Sequence, residues 1–295
     1  MEKIEIKANA KINLGLDVCY PREDGYHEVK MVMHSLDLSD RLTLEKRNDN
    51  DILLETNDSD LPVDDGNLGV KAAKAFVSYV RGKLEFSNVK FGVNIFIEKS
   101  IPKEAGLAGG STDAAAVING MDKIFETHLS PQEKMYIGAL VGSDVPYCIV
   151  GGTAIASGRG EIIENIRTFP EALFILIKPR SGVSTGKAYK EIDSNADRKH
   201  PDIEGLVKAI NEGRDIEYIA EFMENSFEDV IIKGNPIVKD IKEDLEDCGA
   251  VKALMSGSGP TVYGIFRDET SAKAGMEKMT LKYKDLEIFM ARSVL

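Results

Sequence analysis

The sequence predicts a mixed α and β protein (α+β) that folds into two domains. Its 295 residues are about two domains' worth at roughly 150 residues each. Segments with the alternation of a β-strand and segments with the spacing of an amphipathic helix follow one another along the chain. A hydrophobic fraction of 43% and a charged fraction of 29% are those of an ordinary globular protein. We place the boundary between the two domains near residue 160.

The predicted elements follow from hydrophobic periodicity and from residues that begin or end helices. In residues 89–99, apolar side chains occupy every second position, as one buried sheet face requires. Asn67 starts a predicted helix, and Ser111 or Thr112 is expected to cap the helix that follows the loop 102–110. The predicted strands are 4–18, 41–46, 89–99, 153–158, 172–179 and the two sides of a Gly-rich turn in 251–266; the predicted helices are 68–80, the segment after the loop through Phe125, 203–212, 216–227 and 236–249.

Composition excludes several classes of function. A net charge of -12 is opposite to the basic surface that a nucleic-acid backbone attracts. The three cysteines form no CxxC pair and the four histidines form no HExxH motif, so neither a disulfide framework nor a zinc site is predicted. The charged N-terminal segment is unlike a signal peptide, and apolar runs are too short to cross a bilayer. We expect a soluble, cytoplasmic protein without nucleic-acid or membrane partners.

The loop 102-PKEAGLAGGSTDAA-115 carries the strongest chemical signal. Its small residues let backbone N–H groups approach an anion, and the following helix N-terminus adds a positive dipole, which indicates a phosphate-binding loop. The loop alone is equally compatible with a flexible helix entry. The segment 182-GVSTGKA-188 is not a Walker A loop, and neither 256-SGSGP-260 nor 157-SGRG-160 contains a full GxGxxG dinucleotide motif.

Three segments in order, 10-AKINLGLDV-18, the loop 102–115 and 256-SGSGPTVYGIF-266, resemble the three motifs of the GHMP small-molecule kinases. The segments 25-GYHEVKMVMHSLDLSDRL-42 and 142-GSDVPYCIVGGTAIASGRGE-161 resemble the branch that phosphorylates 4-diphosphocytidyl-2-C-methyl-D-erythritol (CDP-methylerythritol) in isoprenoid precursor synthesis. The resemblance implies an N-terminal ATP-binding domain over 1–160, a C-terminal α/β domain over 161–295 and an active site in the cleft between them. It also implies transfer of the γ-phosphoryl group of ATP to the 2-hydroxyl of CDP-methylerythritol, assisted by Mg²⁺.

The resemblance assigns two catalytic residues. Lys11 matches the family's catalytic lysine, whose charge can orient a base and stabilise the transition state. Asp144 matches the catalytic aspartate, which takes the proton of the acceptor hydroxyl. A surface lysine on a strand and an aspartate that caps the turn before Pro146 are the alternative interpretations. A lysine within roughly 4 to 6 Å would keep the Asp144 carboxylate ionised.

The resemblance also assigns the residues that bind the acceptor. Asn13 matches a substrate-contacting asparagine, while Tyr26 and His27 match the segment that holds the cytosine ring. Tyr26 offers a flat stacking face, and the backbone and ring of His27 are expected to read the base. A histidine that is merely buried is the alternative for His27. In 183-VSTGKAY-189, Thr185 is a further substrate contact and Tyr189 a second aromatic face for the base.

The nucleotide site implied by the resemblance is centred on the small-residue loop. Glu104 and Ala108 stand where the family usually has glycine, which makes backbone conformations with φ > 0 doubtful there. Lys103, bound magnesium or exposure to solvent would offset the charge of Glu104. Ser111 is the expected magnesium ligand. The expected nucleotide contacts are Asn67, Lys99, Pro102, Ala105, Gly106, Leu107, Ala108, Gly109, Gly110, Ser111 and Thr112.

Two other functions compete with this interpretation. Mevalonate, phosphomevalonate and homoserine kinases share the loop and the fold, but the GYH and GSDVP segments argue against them. A nucleotide-binding protein without catalysis is disfavoured because Lys11 and Asp144 are present. The expected partners are therefore ATP and CDP-methylerythritol, and the chain is expected to be a monomer or a weak homodimer.

Overall fold

The computed structural model describes residues 2–180, 182, 185–195 and 198–294, and these form strands and helices in mixed order. The strands are β1 Lys3–Pro21, β2 His27–Lys46, β3 Ile52–Thr56, β4 Val93–Glu98, β5 Thr153–Ser157, β6 Ile162–Asn165, β7 Leu173–Lys178, β8 Lys252–Met255, β9 Val262–Phe266 and β10 Glu287–Arg292. The helices are α1 Leu68–Arg81, α2 Gly109–Phe125, α3 Pro131–Ala139, α4 Val145–Val150, α5 Thr185–Asp193, α6 Ile203–Asn211, α7 Ile216–Ala220, α8 Glu228–Gly234, α9 Ile237–Asp247 and α10 Glu269–Lys282. The predicted α+β class is confirmed. No helix within the described residues combines the length and the hydropathy that a bilayer requires.

The chain divides into two compact units, each assembled from separate stretches of sequence. The first unit takes the chain up to Ala10, Ser39–Lys103 and Ala108–Gly151, and the second takes Lys11–Leu38, Glu104–Leu107 and the chain from Gly152 onward. The long strands β1 and β2 supply residues to both units. Residues 183 and 184 of the segment 183–189 lie outside the described residues. The predicted domain boundary near residue 160 stays a prediction.

In the first unit, helices and sheet share one apolar core. Strand β4 pairs antiparallel with β2 and parallel with β3. Helix α2 buries in this core the apolar residues that recur at helical spacing, namely Ala114, Val117, Ile118, Met121, Ile124 and Phe125. Gly120 brings α2 close to β2, because a Cβ atom there would lie 2.8 Å from Leu44. Helix α1 starts at the predicted residue, with Asn67 as its N-cap.

In the second unit, a four-stranded antiparallel sheet runs in the order β10-β7-β9-β8. Strand β7 is buried along nearly its whole length, so its apolar residues form a continuous run rather than an alternation. Helix α9 packs against β8 and β9, and it begins after Pro236 and ends before Gly249, as predicted. Part of β2 pairs with β5, which pairs in turn with β6.

The predicted strand over 89–99 is only half right, because just the second half forms β4. Phe91 is buried in a cluster of aromatic rings, with its centroid 4.9 Å from that of Phe125. The N–H of Gly92 donates to the carbonyl of Asp49 at 2.9 Å, and β4 begins at the next residue, Val93. The alternation of apolar residues before Gly92 therefore indicates burial and not a strand.

The predicted helix over 216–227 is wrong beyond its first turns, since α7 ends at Ala220. The N–H of Leu16 donates to the carbonyl of Glu224 at 3.0 Å, and the N–H of Ser226 donates to the carbonyl of Leu16 at 2.9 Å. This segment therefore pairs with β1. Helical spacing cannot anticipate backbone hydrogen bonds to a strand from the start of the chain.

His34 is a buried histidine in the core of the second unit. Its Nδ1 lies 2.9 Å from the Thr153 hydroxyl, which also accepts the N–H of Phe169 at 2.8 Å. Among the described residues its Nε2 has no hydrogen-bond partner. Burial lowers the pKa of His34 from 6.5 to about 4, because the charged imidazolium cannot be solvated there.

We expect the folded state to lose stability as the pH falls from 6.5 to 4. The unfolded chain binds a proton on this histidine near pH 6.5 but the folded chain only near pH 4. Since one pKa unit corresponds to about 1.4 kcal/mol, the loss amounts to about 3 kcal/mol. Urea unfolding at pH 7 and pH 4.5 measures it. A His34→Leu variant should lose less stability over the same interval, and an equal loss would contradict the assignment.

Candidate active site

A buried lysine is the centre of a group of polar residues in the second unit. Lys11 lies on β1 and is only 4% exposed, so the interpretation as a surface lysine is wrong. Its Nζ donates to Asn13 Oδ1 at 2.7 Å and to the carbonyl of Gly106 at 2.9 Å. Lys11 and Asn13 share one face of the strand because side chains two residues apart point the same way. The ammonium is thus held in a fixed position.

The carbonyl of Gly106 joins the three predicted motifs. Besides Lys11, it accepts the hydroxyl of Ser256 at 2.9 Å, which comes from the Gly-rich turn between β8 and β9. Gly106 has φ +73°, and a Cβ atom there would lie 2.2 Å from the Ser256 carbonyl oxygen, so only glycine fits. The strand, the small-residue loop and the turn therefore meet at one oxygen atom.

Asn225 supports this arrangement, and sequence reasoning missed it. Its Nδ2 donates to the carbonyls of Met255 and Gly257 at 2.7 and 2.8 Å, and its Oδ1 accepts the N–H of Phe227 at 2.9 Å. All the polar atoms of this buried amide are engaged in fixing the turn. No motif marks Asn225, because it lies in the stretch that helical spacing assigned to a helix.

The residues predicted to hold the cytosine ring lie at the start of β2 and on α5. The ring of His27 stacks on that of Tyr189, with centroids 4.5 Å apart and planes inclined by 23°. His27 Nε2 lies 2.8 Å from Asp193 Oδ1, so the ring is held by two partners on α5. Tyr189 contacts His27 directly. Thr185, at the start of α5, lies 3.0 Å from the Ser258 hydroxyl.

The small-residue loop adopts the backbone conformations that its sequence made doubtful. Glu104 has φ +50° and Ala108 has φ +60°, although neither is glycine. Each left-handed residue of this kind costs roughly 1 to 2 kcal/mol. In the first unit Lys103 pairs with Asp58 at 2.9 Å and with Asp60 at 3.4 Å, so its ammonium already serves two other carboxylates.

Helix α2 begins at Gly109, three or four residues earlier than a cap at Ser111 or Thr112 predicts, and neither of these residues caps it. Its N-cap is Ala108, which has no side chain that could accept a hydrogen bond. The Thr112 hydroxyl donates to the carbonyl of Asn9 at 2.8 Å instead. Because the first N–H groups of a helix lack intrahelical partners, an uncapped N-terminus free of acidic residues is suited to phosphate oxygens.

Two glycines let this helix N-terminus pack closely on its surroundings. A Cβ atom at Gly109 would lie 3.2 Å from Ile101 Cγ2 and 3.4 Å from Lys99 Nζ. A Cβ atom at Gly110 would lie 3.2 Å from Leu68 Cδ1. Asn67 is occupied as the N-cap of α1, where its Oδ1 accepts the N–H of Gly69 at 2.8 Å.

Lys99 forms a buried cluster with two aspartates that no motif predicted. Its Nζ contacts Asp40 Oδ2 and Asp113 Oδ2, the latter at 2.7 Å. Asp40 Oδ1 also accepts the N–H groups of Ser100 and Ile101 at 2.6 and 2.8 Å. The cluster therefore fixes the chain at the entrance to the small-residue loop.

The ionisable groups of this cluster shift the pKa values of Asp113 and Lys99. Burial raises the pKa of Asp113, the lysine opposes this shift and the Asp40 carboxylate adds to it. Burial alone would lower the pKa of Lys99, but the two carboxylates outweigh it and raise that pKa. Burial therefore favours the neutral form of Asp113, whereas the neighbouring ammonium of Lys99 favours its carboxylate form.

Asp144 stands at the N-terminus of α4, ahead of Val145–Val150. Its side chain makes no capping hydrogen bond to that helix, so the interpretation as a turn cap is wrong. The residue belongs to the first unit, and Lys11 to the second.

The chemistry of Ser111 is compatible with Mg²⁺. Within the described part of the chain, no three His, Cys, Asp or Glu side chains gather into a group that could hold a metal ion. In nucleotide sites, however, Mg²⁺ binds through one or two protein oxygens and the phosphates of the substrate. Ser111 lies in the first turn of α2 and supplies a hydroxyl of that kind.

The fold and these residues define a class of protein. The family model of the GHMP kinases N terminal domain matches residues 67–152, and that of the GHMP kinases C terminal domain matches residues 203–285. The chain is a GHMP kinase, as its three motifs predicted. A crystal structure of homoserine kinase from Cytophaga hutchinsonii matches with a TM-score of 0.77 at 17% identity, over 100% of this chain and 95% of that one, which shows the shared fold alone.

Relatives that match along nearly their whole length show which family within this class the chain belongs to. The 4-diphosphocytidyl-2-C-methyl-D-erythritol kinase of Clostridium perfringens (strain SM101 / Type A) is 44% identical over 291 residues, which cover 99% of this chain and 98% of the relative. A crystal structure of 4-(cytidine 5'-diphospho)-2C-methyl-D-erythritol kinase matches with a TM-score of 0.80 at 26% identity, over 99% of this chain and 100% of that one. The chain belongs to the 4-diphosphocytidyl-2-C-methyl-D-erythritol kinase family.

We expect Lys99→Met to destabilise the protein strongly and Asp113→Asn to change its stability little at pH 7. Removing the ammonium leaves a buried carboxylate unpaired, which costs about 3 to 5 kcal/mol. Asparagine replaces a carboxyl group whose neutral form is favoured by burial, so its cost should stay at about 1 kcal/mol. Urea unfolding of the two variants provides the comparison. An equal loss in both would show that Asp113 is ionised in the folded protein.

Proposed function

We propose that this chain transfers the γ-phosphoryl group of ATP to the 2-hydroxyl of CDP-methylerythritol. The observation that carries the proposal is the 44% identity along 99% of the chain to a kinase named for this acceptor. The buried Lys11, held by Asn13 and the carbonyl of Gly106, supports it, because phosphoryl transfer depends on fixed positive charge.

Lys11 and Asp144 would share the chemistry. The acceptor oxygen bonds to the γ-phosphorus as the bond from that phosphorus to the bridging oxygen breaks, and ADP leaves with the electron pair. Asp144 takes the proton of the acceptor hydroxyl, and Lys11 stabilises the charge that develops on the phosphoryl oxygens. The close approach of Lys11 to Asp144, and a reaction site in a cleft between two domains, stay predictions.

The nucleotide would bind to the small-residue loop and the N-terminus of α2. Free N–H groups in the first turn of α2 suit phosphate oxygens, and the absence of a side-chain cap keeps them available. Asn67, Pro102 and Lys99 would line or support this region. Ser111 would hold Mg²⁺, which neutralises charge on the phosphates when it is bound.

The acceptor would bind at the start of β2 and on α5. The ring of Tyr26 is 51% exposed, which leaves a flat face for the cytosine. His27 would read the base, and its fixed orientation against Tyr189 and Asp193 favours that role. Thr185 would complete the contacts from α5.

We expect the protein to consume ATP with CDP-methylerythritol but not with mevalonate or homoserine. Methylerythritol phosphate without cytidine should react with a kcat/KM about tenfold to a hundredfold lower, since stacking of one base contributes roughly 1 to 3 kcal/mol. A coupled assay of ADP release compares the activities with these four acceptors. Equal activity on the truncated acceptor would contradict a cytidine site, and activity on mevalonate or homoserine would assign another GHMP kinase.

We expect Asp144→Asn to lower the rate of phosphoryl transfer by about 10² to 10⁴, because general base catalysis contributes a factor of that size. ATP affinity should change less than about twofold, since asparagine keeps the shape of the side chain. Rapid-quench turnover and calorimetry with ATP measure the two quantities. Asp285→Asn, a change at a largely exposed aspartate, serves as the control. Full activity of Asp144→Asn would remove Asp144 as the base.

A further inference from the structure

Arg159, to which the sequence analysis assigned no role, lies over the ring of Tyr26. The Cζ atom of Arg159 lies 4.9 Å from the centroid of the Tyr26 ring, within the range of a cation–π contact. Arg159 comes from the turn that joins β5 to β6. Two segments distant in sequence therefore meet where the cytosine is proposed to bind.

The turn that carries Arg159 is fixed to β2 by hydrogen bonds. The N–H of Gly158 donates to Glu28 Oε1 at 2.9 Å, and the N–H of Val29 donates to the carbonyl of Gly158 at 2.9 Å. The carboxylate of Glu161 accepts the backbone N–H of Arg159 at 2.6 Å and lies 3.4 Å from its Nε. The guanidinium is therefore positioned by its own turn, independently of Tyr26.

Arg159 differs from the neighbouring Arg22 in the donors that it has left. Arg22 is engaged through Nε with Asp24 at 3.2 Å and through Nη1 with Glu28 at 2.6 Å. For Arg159, in contrast, neither Nη atom has a hydrogen bond to any residue that the structure describes. A planar guanidinium with free donors matches the oxygens of a phosphate group in a bidentate arrangement.

We propose that Arg159 binds the diphosphate of the cytidylyl substrate while its guanidinium packs on Tyr26. This inference rests on the proposed function. Asp24, Glu28 and Glu161 surround the start of β2, and their carboxylates repel an anionic ligand. Arg159 supplies the positive charge that a nucleoside diphosphate needs there and a nucleoside does not. It is a substrate-binding residue that distinguishes the two.

Calorimetry with cytidine and with cytidine diphosphate tests the proposal on the full chain. Arg159→Gln should weaken cytidine diphosphate about tenfold to a hundredfold, as expected for hydrogen bonds to a charged group, and cytidine less than about twofold. Arg159→Lys keeps the positive charge but lacks the planar fork of donors. Its affinity for cytidine diphosphate should therefore lie between those of the wild type and of Arg159→Gln. Because the lost contact is ionic, the salt dependence of diphosphate binding should also become less steep. Arg214→Gln is the matched control, since Arg214 Cζ lies 4.9 Å from the ring of Tyr218 in a similar contact.

Each other outcome overturns the proposal. Equal weakening of cytidine and cytidine diphosphate would mean that Arg159 acts through Tyr26 alone, and no weakening would exclude it from the site. If the lysine and glutamine variants bind cytidine diphosphate equally well, the charge is not used. An activity assay of the wild-type protein with CDP-methylerythritol distinguishes a failure of this inference from a failure of the proposed function. Wild-type activity with silent Arg159 variants rejects only this inference, whereas a wild-type protein inactive on that acceptor rejects the proposed function.

Discussion

The second unit depends on the solvation of one buried ammonium group. Lys11 is removed from water, and a buried charge is tolerated only where protein oxygens replace the solvent. One of the oxygens that contact it is local, on Asn13, and another is the carbonyl of Gly106 in a distant loop. Because Ser256 donates to the same carbonyl, a shift of the strand, the loop or the turn would leave a polar group in one of the others unpaired. This shared acceptor explains why three short motifs so far apart in sequence have to be present together.

The loop that supplies this carbonyl has a strained backbone. Glu104 and Ala108 hold left-handed conformations on either side of Gly106, and Ala108 cannot cap the helix that it begins. Both features cost stability, yet the missing cap is what leaves the first N–H groups of α2 available to a ligand. Strained residues of this kind persist where the surrounding packing determines the backbone, as the close contacts of Gly106 and Gly109 do here.

Sequence reasoning succeeded where a feature is local and failed where it depends on distant partners. Helix α1 with its Asn67 cap follows from spacing within the segment, whereas the roles that the family motifs assign to Lys11 and Asn13 stay predictions. The motifs could not indicate that two aspartates hold Lys99, since Asp40 and Asp113 meet it only in the folded chain. Asn225 was assigned to a helix because its hydrogen bonds to the turn at Met255 and Gly257 have no local signature. Arg159 was assigned no role for the same reason, because its contact with the Tyr26 ring exists only in the folded chain.

The distribution of charge in the first unit bears on the nucleotide site that is proposed there. Lys99 lies 3.4 Å from where a Cβ atom at Gly109 would stand, close below the N-terminus of α2. Its ammonium nevertheless pairs within its own cluster with Asp40 and Asp113. Lys99 therefore fixes the loop entrance through Asp40 more than it attracts phosphates from solution. In a chain with a net charge of -12, the nucleotide site proposed for this unit would then attract phosphates chiefly through oriented N–H groups and the proposed magnesium ion, which act at short range and only in the folded loop.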